Sequence, residues 1–280
     1  MTASWDNFYS KTFLRVFPDY LLVQTKLMRD QAVRLADYPA SKISVVGLPQ
    51  YDRYFKKNGI IPRNQFIVGL GGDPGKKLLV FACSGKVTLT EDVEMIELLR
   101  RLIKNGTLPA MNVLVRPHPK RTFSESYMEK IRKEYGFLAL TPARKLNVAG
   151  DPWEFDERAI SLLTNSLAHA DVVISTCTTL FIEAAIFDAP LIAIGFDAGR
   201  KLNYWNSSRR FFEWEHMADL KRTGGVFNVT SERELVEALR LYLNDRKLHH
   251  EGREKIVAEQ AVFTDGQSVS KTVDVLRSVF

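Results

Sequence analysis

Features of several protein classes are scarce in this sequence. Its 280 residues include only two cysteines, Cys83 and Cys177, which excludes a disulfide-rich scaffold, and neither has a second cysteine at redox or zinc spacing. The five histidines form no zinc-binding pattern with other ligands. No apolar run is long enough to span a bilayer, and residues 1–6 have the pattern of neither a targeting peptide nor a tag. We therefore expect both cysteines to be buried free thiols in a reducing compartment.

Common nucleotide-binding and hydrolase motifs are missing as well. The glycine-rich segment 69–77, Gly-Leu-Gly-Gly-Asp-Pro-Gly-Lys-Lys, has Leu70 where a P-loop needs its first glycine, and no hydroxyl residue follows the lysine. The segment also precedes a predicted strand, whereas a P-loop or a dinucleotide fingerprint would follow one. No Gly-x-Ser-x-Gly elbow of a hydrolase is found. We therefore predict that residues 56–76 are a linker.

The charge pattern narrows the range of partners. The chain has 39 Lys and Arg against 33 Asp and Glu, a net charge of +6. The basic residues are scattered in pairs, which is typical of a solvated surface, and they form no dense stripe for nucleic acid. A mild positive field still favours anionic substrates or an anionic membrane surface.

Short apolar runs alternate with amphipathic segments from residue 77 onward. Strands are predicted at 78–83, 112–115, 137–140, 171–175, 190–194 and 225–229. Helices are predicted at 91–104, 124–135, 158–169, 178–187, 209–220 and 232–243, followed by two more. This alternation predicts an α/β fold with a Rossmann-like, doubly wound parallel sheet over residues 77–280.

Residues 1–55 contain too few elements to form a domain alone. They have two predicted strands, 20–24 and 42–46, and one helix, 26–35. A two-stranded sheet cannot bury both of its faces with one helix. We expect this segment to be an extra layer on the main domain or the remnant of a partner domain.

The clearest functional signal is at the ends of two predicted strands. One strand stops at Arg116-Pro-His118-Pro-Lys, where Arg offers a planar fork for phosphate, His can donate or transfer a proton, and the prolines fix the backbone. The other stops at Ser175-Thr176-Cys-Thr178-Thr179, where a helix begins and its unpaired N–H groups favour a phosphate. Parallel strands end at one edge of the sheet, so the two exits predict a site for a phosphorylated ligand.

Weaker candidates border the same edge. The turn Ser84-Gly85-Lys86 follows the first strand of the regular region, Glu183 lies one helical turn after the hydroxyl cluster, and Asp197 follows the strand 190–194. Glu183 could accept hydrogen bonds from ribose hydroxyls. The alternatives remain open: the hydroxyl residues can be ordinary helix caps, and both carboxylates can be solvated or turn acids.

In these motifs the chain resembles the carboxyl-terminal, donor-binding half of GT-B-fold transferases. It is most similar to the CDP-glycerol glycerophosphotransferase family of teichoic-acid and capsule synthesis, with the UDP-N-acetylglucosamine 2-epimerase superfamily as a related neighbour. The similar segments are 45–52 (Val-Val-Gly-Leu-Pro-Gln-Tyr-Asp, like a Gly-x-Pro-x-x-Asp interdomain segment), 116–119, 171–192 and 224–235. Thr176-Cys-Thr-Thr179 replaces the usual teichoic-type Asp-Tyr-Ser-Ser, and Glu183 in Glu-Ala-Ala is closer to sugar transferases.

The resemblance implies a transferase with a CDP- or UDP-linked donor and a glycan or lipid-linked acceptor. It implies a cytoplasmic protein, with peripheral association at the inner face of the membrane as one option, and it requires no metal, cofactor or nucleic acid. The implied catalytic residues are Arg116 and His118. The donor phosphates are assigned to Ser84, Gly85, Lys86, Ser175, Thr176, Thr178 and Thr179, and the ribose or sugar to Glu183 and Asp197.

Two other functions stay open at this point. One is an epimerase-like enzyme acting on a UDP-sugar, and the other is a non-catalytic nucleotide-sugar-binding module. The family's amino-terminal acceptor domain has no counterpart beyond the first 55 residues, so we expect the chain to be a fragment.

Overall fold

The structure, a computed structural model, describes residues 8–9, 16–84, 89–118, 123–140, 144–145, 153–154, 156–176 and 178–279. The strands in these ranges are β1 (Leu21–Val23), β2 (Ile43–Val45), β3 (Leu78–Ala82), β4 (Asn112–Arg116), β5 (Leu138–Ala139), β6 (Arg144–Lys145), β7 (Trp153–Glu154), β8 (Val172–Ser175), β9 (Leu191–Ile194) and β10 (Val226–Val229).

The helices in these ranges are α1 (Lys26–Ala36), α2 (Asp52–Phe55), α3 (Arg63–Gly69), α4 (Leu89–Lys104), α5 (Glu125–Lys133), α6 (Glu157–Ala168), α7 (Leu180–Ile186), α8 (Arg209–Phe212), α9 (Glu215–Arg222), α10 (Glu232–Asn244), α11 (His250–Gln260) and α12 (Ser268–Val279). Short 3₁₀ turns lie at Ala40–Lys42, Pro49–Tyr51 and Tyr204–Asn206.

Six parallel strands form the central sheet, in the order β10-β9-β8-β3-β4-β5. The chain starts at β3, adds β4 and β5 on one side, and then adds β8, β9 and β10 on the other side. The predicted doubly wound parallel sheet is confirmed. In such a sheet the connections diverge between the two strands where the order reverses, here β3 and β8, and leave a crevice at their carboxyl ends.

The sheet is buried on both faces, as a parallel sheet requires. Leu78, Val80 and Ala82 of β3 pack into one core cluster, whereas Leu79 and Phe81 pack into the other. This alternation follows from the two-residue period of a strand. Helix α7 contributes to the first cluster and helices α4 and α10 to the second, so both faces are covered and the strand ends are where such a sheet presents residues to a ligand.

The first part of the chain forms a small separate layer. Strands β1 and β2 pair in parallel, and α1 packs on them around a core that includes Val23, Met28 and Tyr38. The last helix returns to the segment that follows β2. There the Asp52 carboxylate accepts hydrogen bonds from the backbone N–H groups of Ser268 (2.9 Å) and Val269 (3.0 Å) at the start of α12.

Two segments differ locally from the sequence prediction. Residues 56–76, predicted as a linker, contain α3, whose Phe66 and Ile67 are buried in the core beside the sheet. The helix predicted over 209–220 is two helices, α8 and α9, because Trp214 between them has an extended backbone (φ −64°, ψ 144°). The division of the chain into 1–55, a linker and a domain 77–280 stays a prediction.

Candidate functional site

A cavity of about 640 Å³ opens beside the carboxyl ends of β3 and β4 and the start of α7. The sheet and α7 contribute residues predicted from the sequence, and a second wall comes from the segment after β2. The lining residues are Pro49, Gln50, Arg53, Tyr54, Asn58, Cys83, Arg116, His118, Ile160, Leu163, Thr178, Thr179, Leu180 and Glu183.

Arg116 and Glu183 place opposite charges deep in this cavity. Arg116 is the last residue of β4, in register with Ala82 of β3, and both Arg116 and Glu183 are only 6% exposed. Burial lowers the pKa of Arg116, and the nearby Glu183 carboxylate opposes that change. Burial raises the pKa of Glu183, while the Tyr54 hydroxyl and the Arg116 charge lower it. A buried guanidinium is a strong partner for an anion because little water competes for it.

Tyr54 connects the segment after β2 to the sheet. Its hydroxyl donates a hydrogen bond of 2.7 Å to Oε2 of Glu183, a residue 129 positions later in the chain. Its ring lies 5.4 Å from that of Phe187 in an edge-to-face arrangement. Burial and the neighbouring Glu183 raise the pKa of Tyr54 far above its usual value, so the hydroxyl keeps its proton and remains a donor.

Arg53 contributes a further cation from α2. Its Nη2 donates to Oε2 of Glu157 at 3.0 Å, and the side chains of Arg53 and Glu157 are 27% and 85% exposed. Nε of Arg53 is buried and has no hydrogen-bond partner among the described residues. Among the described residues, the cavity is bordered by the basic side chains of Arg53, Arg116 and His118 and by one carboxylate, that of Glu183.

The predicted hydroxyl cluster is only partly in the cavity. Thr178 and Thr179 line it, and the Thr178 hydroxyl accepts a hydrogen bond from the backbone N–H of Leu180 at 3.2 Å. Ser175 is fully buried at the end of β8, and its Oγ has no hydrogen-bond partner among the described residues. Thr176 is half-buried and does not line the cavity.

The turn after β3 also contributes only in part. Cys83 lines the cavity and is a buried free thiol, as predicted. Ser84 is buried and does not line the cavity, and its backbone N–H donates to the Asp92 carboxylate at 3.0 Å. Gly85, Lys86 and Cys177 lie outside the described residues.

Asp197 is not part of this cavity. Its Oδ1 accepts a hydrogen bond from the backbone N–H of Ser208 at 2.8 Å, so it holds the loop that leads into α8. It also lies close to the start of α4, where burial and the Asp197 charge together raise the pKa of Glu91 to about 7. The structure therefore separates Asp197 from Glu183, the other residue assigned to the ribose or sugar.

The cavity also contains residues that the sequence reasoning did not select. They include the four polar side chains of Gln50, Arg53, Tyr54 and Asn58. All of them follow the Gly-x-Pro-x-x-Asp segment or belong to it. That motif was the available signal, but only the packing of α2 against α7 and the sheet shows that its neighbours form a wall of the site.

Metal-binding clusters and membrane-spanning helices are both absent from the part of the chain that the structure describes. Within those ranges, no group of three or more His, Cys, Asp or Glu side chains is arranged to hold a metal ion. None of the described helices has both the length and the apolar character needed to cross a membrane.

The lining of the cavity combines groups that suit an anion with a polar rim. It combines a buried guanidinium, an imidazole and two threonine hydroxyls at the place where a doubly wound sheet binds ligands. Aromatic and aliphatic groups, such as Tyr54 and Leu163, cover the rest of its wall. A ligand with a charged group and a larger, less polar group matches this distribution.

Comparison with solved structures shows a GT-B-like fold. The wall teichoic acid polymerase TagF is similar to the chain at 13% identity and a TM-score of 0.54, over 93% of this chain and 58% of TagF. The Methanocaldococcus jannaschii UDP-GlcNAc 2-epimerase, solved in complex with UDP-GlcNAc and UDP, gives 15% identity and a TM-score of 0.57, over 93% of this chain and 61% of the epimerase. Another UDP-N-acetylglucosamine 2-epimerase gives 14% identity and a TM-score of 0.55, over 92% of this chain and 57% of that epimerase.

The chain thus spans somewhat more than half the length of these proteins. Neither a protein-family model nor a curated protein sequence matches it. At these identities the similarity shows the fold alone: the chain has the GT-B-like architecture that the sequence motifs predicted.

Proposed function

We propose that this chain binds the nucleotide-activated donor of a transferase that synthesises a bacterial surface polysaccharide or a teichoic-acid-like polymer. The observation that carries the proposal is the cavity beside the crevice of the sheet, where Arg116 and His118 meet Thr178 and Thr179. Cations and hydroxyl donors are the groups that bind a diphosphate. The similarity to TagF and to nucleotide-sugar epimerases supports the same type of ligand.

In this proposal the donor phosphates lie between Arg116 and the threonine hydroxyls. Negative charge builds up on the leaving nucleotide phosphate as its bond to the transferred group breaks. Arg116 stabilises that charge as a fixed cation, and His118 adds a donor or a proton beside it. Because Arg116 is already held at the end of β4, it needs no reorganisation during the reaction.

Glu183 is the proposed ribose ligand. Tyr54 bonds to its Oε2, so Oε1 is the oxygen that we assign to a ribose hydroxyl. Its burial means that a ligand must reach into the cavity to meet it. Asp197 stands apart from this constellation, and we leave it out of the donor site.

The transferred group is a glycosyl or polyol-phosphate group, and the acceptor is a glycan or a lipid-linked chain. This finer assignment rests on the resemblance to the glycerophosphotransferase family. A second candidate is an epimerase-like reaction on a UDP-sugar, which is favoured by the similarity to the two epimerases. Incubation with a UDP-sugar and no acceptor separates them, because only an epimerase would return an altered nucleotide sugar.

The donor site is tested by binding. CDP, UDP, GDP and CMP should be titrated by calorimetry, and we expect a diphosphate of one base to bind and to raise the thermal midpoint. A ligand at about 100 times its Kd stabilises a protein by nearly 3 kcal/mol. The proposal fails if no nucleotide at millimolar concentration gives heat or stabilisation.

Variants then separate the roles of the two basic residues. Arg116→Ala should weaken diphosphate binding by about tenfold or more, because it removes a charge-assisted contact. His118→Ala should lower kcat more than it changes KM in the active enzyme, because the charge that His118 meets develops during the reaction. Arg277→Ala, an exposed residue of α12, is the matched control. Equal behaviour of Arg116→Ala and Arg277→Ala would contradict the assignment.

A further inference from the structure

We infer that Arg53 is a second phosphate-binding residue of the cavity. In the absence of ligand its guanidinium is paired with Glu157, and the ligand displaces that carboxylate. This inference rests on the proposed function of the same site. Arg53 comes from α2, outside the strand ends that sequence motifs select, and it lines the same cavity as Arg116. The site would then hold its anion from two elements, β4 and α2.

The geometry of the guanidinium carries the argument. Nε and Nη2 form one edge of the planar group and point in parallel, so together they can grip two oxygens of one carboxylate or phosphate. In the structure Nη2 donates to Glu157 at 3.0 Å, but Nε is buried and has no hydrogen-bond partner among the described residues. The Arg53–Glu157 pair therefore uses only half of this edge.

A phosphate can use the whole edge. A buried donor without a partner is unfavourable. A ligand that accepts hydrogen bonds from both Nε and Nη2 therefore interacts more favourably with Arg53 than Glu157 does through Nη2 alone. The rearrangement is easy because Glu157 is 85% exposed. Its carboxylate returns to water at little cost, since ion pairs at the surface contribute little to stability.

Charge in the cavity points the same way. Glu183 is the one carboxylate among the described lining residues, beside Arg53 and Arg116. That carboxylate already accepts a hydrogen bond from Tyr54. Arg53 itself is held in place by its neighbour, because Asp52 is fixed to the start of α12 through two hydrogen bonds. A cation on an anchored helix loses little freedom when it binds.

The test uses Arg53→Gln, Glu157→Gln and the control Arg158→Gln. Arg158 is exposed, carries the same charge as Arg53 and does not line the cavity. Each variant and the wild type should be titrated with CDP, UDP and inorganic pyrophosphate at two salt concentrations. Thermal midpoints without ligand show whether each variant is folded.

The expected pattern has opposite signs for the two partners of the pair. Arg53→Gln should bind the diphosphates and pyrophosphate about tenfold more weakly, with a smaller dependence on salt, because it loses a charge-assisted contact. Glu157→Gln should bind them as well as the wild type or a few times more tightly, since it removes a competitor. Arg158→Gln should leave every Kd unchanged.

Three outcomes would overturn the inference. Arg53→Gln could bind like the wild type while Arg116→Ala loses binding, which would leave the proposed function intact and remove Arg53 from it. Arg53→Gln and Glu157→Gln could weaken binding equally, which would mean that their ion pair only supports the structure. Arg53→Gln could lose CDP and UDP but keep pyrophosphate, which would assign Arg53 to the base. If the wild type binds none of the three ligands, the proposed function itself fails.

Discussion

Removing one oxygen atom, in Tyr54→Phe, tests how the buried charges of the site are held. The change keeps the ring, with its edge-to-face contact to Phe187, and deletes the hydroxyl that donates to Glu183 at 2.7 Å. Glu183 is 6% exposed, so water cannot fully replace the lost donor. Hydrogen bonds to charged groups contribute about 1.5–3 kcal/mol. We therefore expect the free energy of unfolding to fall by roughly 2 kcal/mol near neutral pH.

The loss should depend on pH in a defined direction. Burial raises the folded-state pKa of Glu183, and the Tyr54 hydrogen bond lowers it. Without the hydroxyl that pKa rises further, so the variant takes up a proton at a higher pH than the wild type. The stability difference between the wild type and Tyr54→Phe has its largest value above the folded-state pKa of Glu183 in the variant. It shrinks as the pH falls through that value, because a protonated Glu183 no longer needs the donor as strongly.

Urea denaturation at a series of pH values measures both quantities. Tyr51→Phe is the matched control. Tyr51 is also buried, and its ring lies 5.9 Å from that of Tyr54. The tyrosine hydroxyl that donates to Glu183 is that of Tyr54. A Tyr54→Phe loss that equals the Tyr51→Phe loss, or that stays constant as the pH falls, would refute the argument.

Two further substitutions test the packing that places the site. Gly252→Ala should destabilise the protein by about 1–3 kcal/mol, because a Cβ there would lie 2.3 Å from the backbone carbon of Gly224, which cannot rotate away. Gly69→Ala, with nothing within 4 Å of its Cβ position, should instead be neutral or slightly stabilising in urea denaturation. Asp52→Ala should remove the cap of α12, lower the free energy of unfolding by about 1 kcal/mol and speed amide hydrogen exchange in that helix. Asp274→Ala, on the exposed face of α12, is the control and should have neither effect. Unchanged exchange in α12 would show that Asp52 is not what holds this helix.

Local patterns in the sequence were enough for the architecture. The strand predicted at 78–83 is found at Leu78–Ala82, and the one at 171–175 is found at Val172–Ser175. Their near-continuous apolar runs are typical of strands buried on both faces. Because parallel strands end at one edge, placing Arg116 and Thr179 at strand exits was sufficient to predict that they line one cavity, and they do.

Contacts between distant parts of the chain could not be predicted in this way. The partner of Glu183 is Tyr54, 129 residues earlier, and the partner of Arg53 is Glu157, 104 residues later. No periodicity or spacing records such a pair, because it depends on how α2 packs against α6 and α7. For the same reason Asp197 was grouped with Glu183, although the loop after β9 turns it toward Ser208.

Hydrophobic period and strand ends are local properties, so the sequence alone predicts the parallel sheet and brings Arg116 and Thr179 to one edge of it. What closes the cavity depends on contacts between distant parts of the chain. The segment after β2 provides Arg53 and Tyr54. Its Tyr51 and Tyr54 pack into the core beside the sheet, and its Asp52 is hydrogen-bonded to the start of α12. A wall built from sequence-distant elements is a property of packing, and packing is set by the whole chain at once.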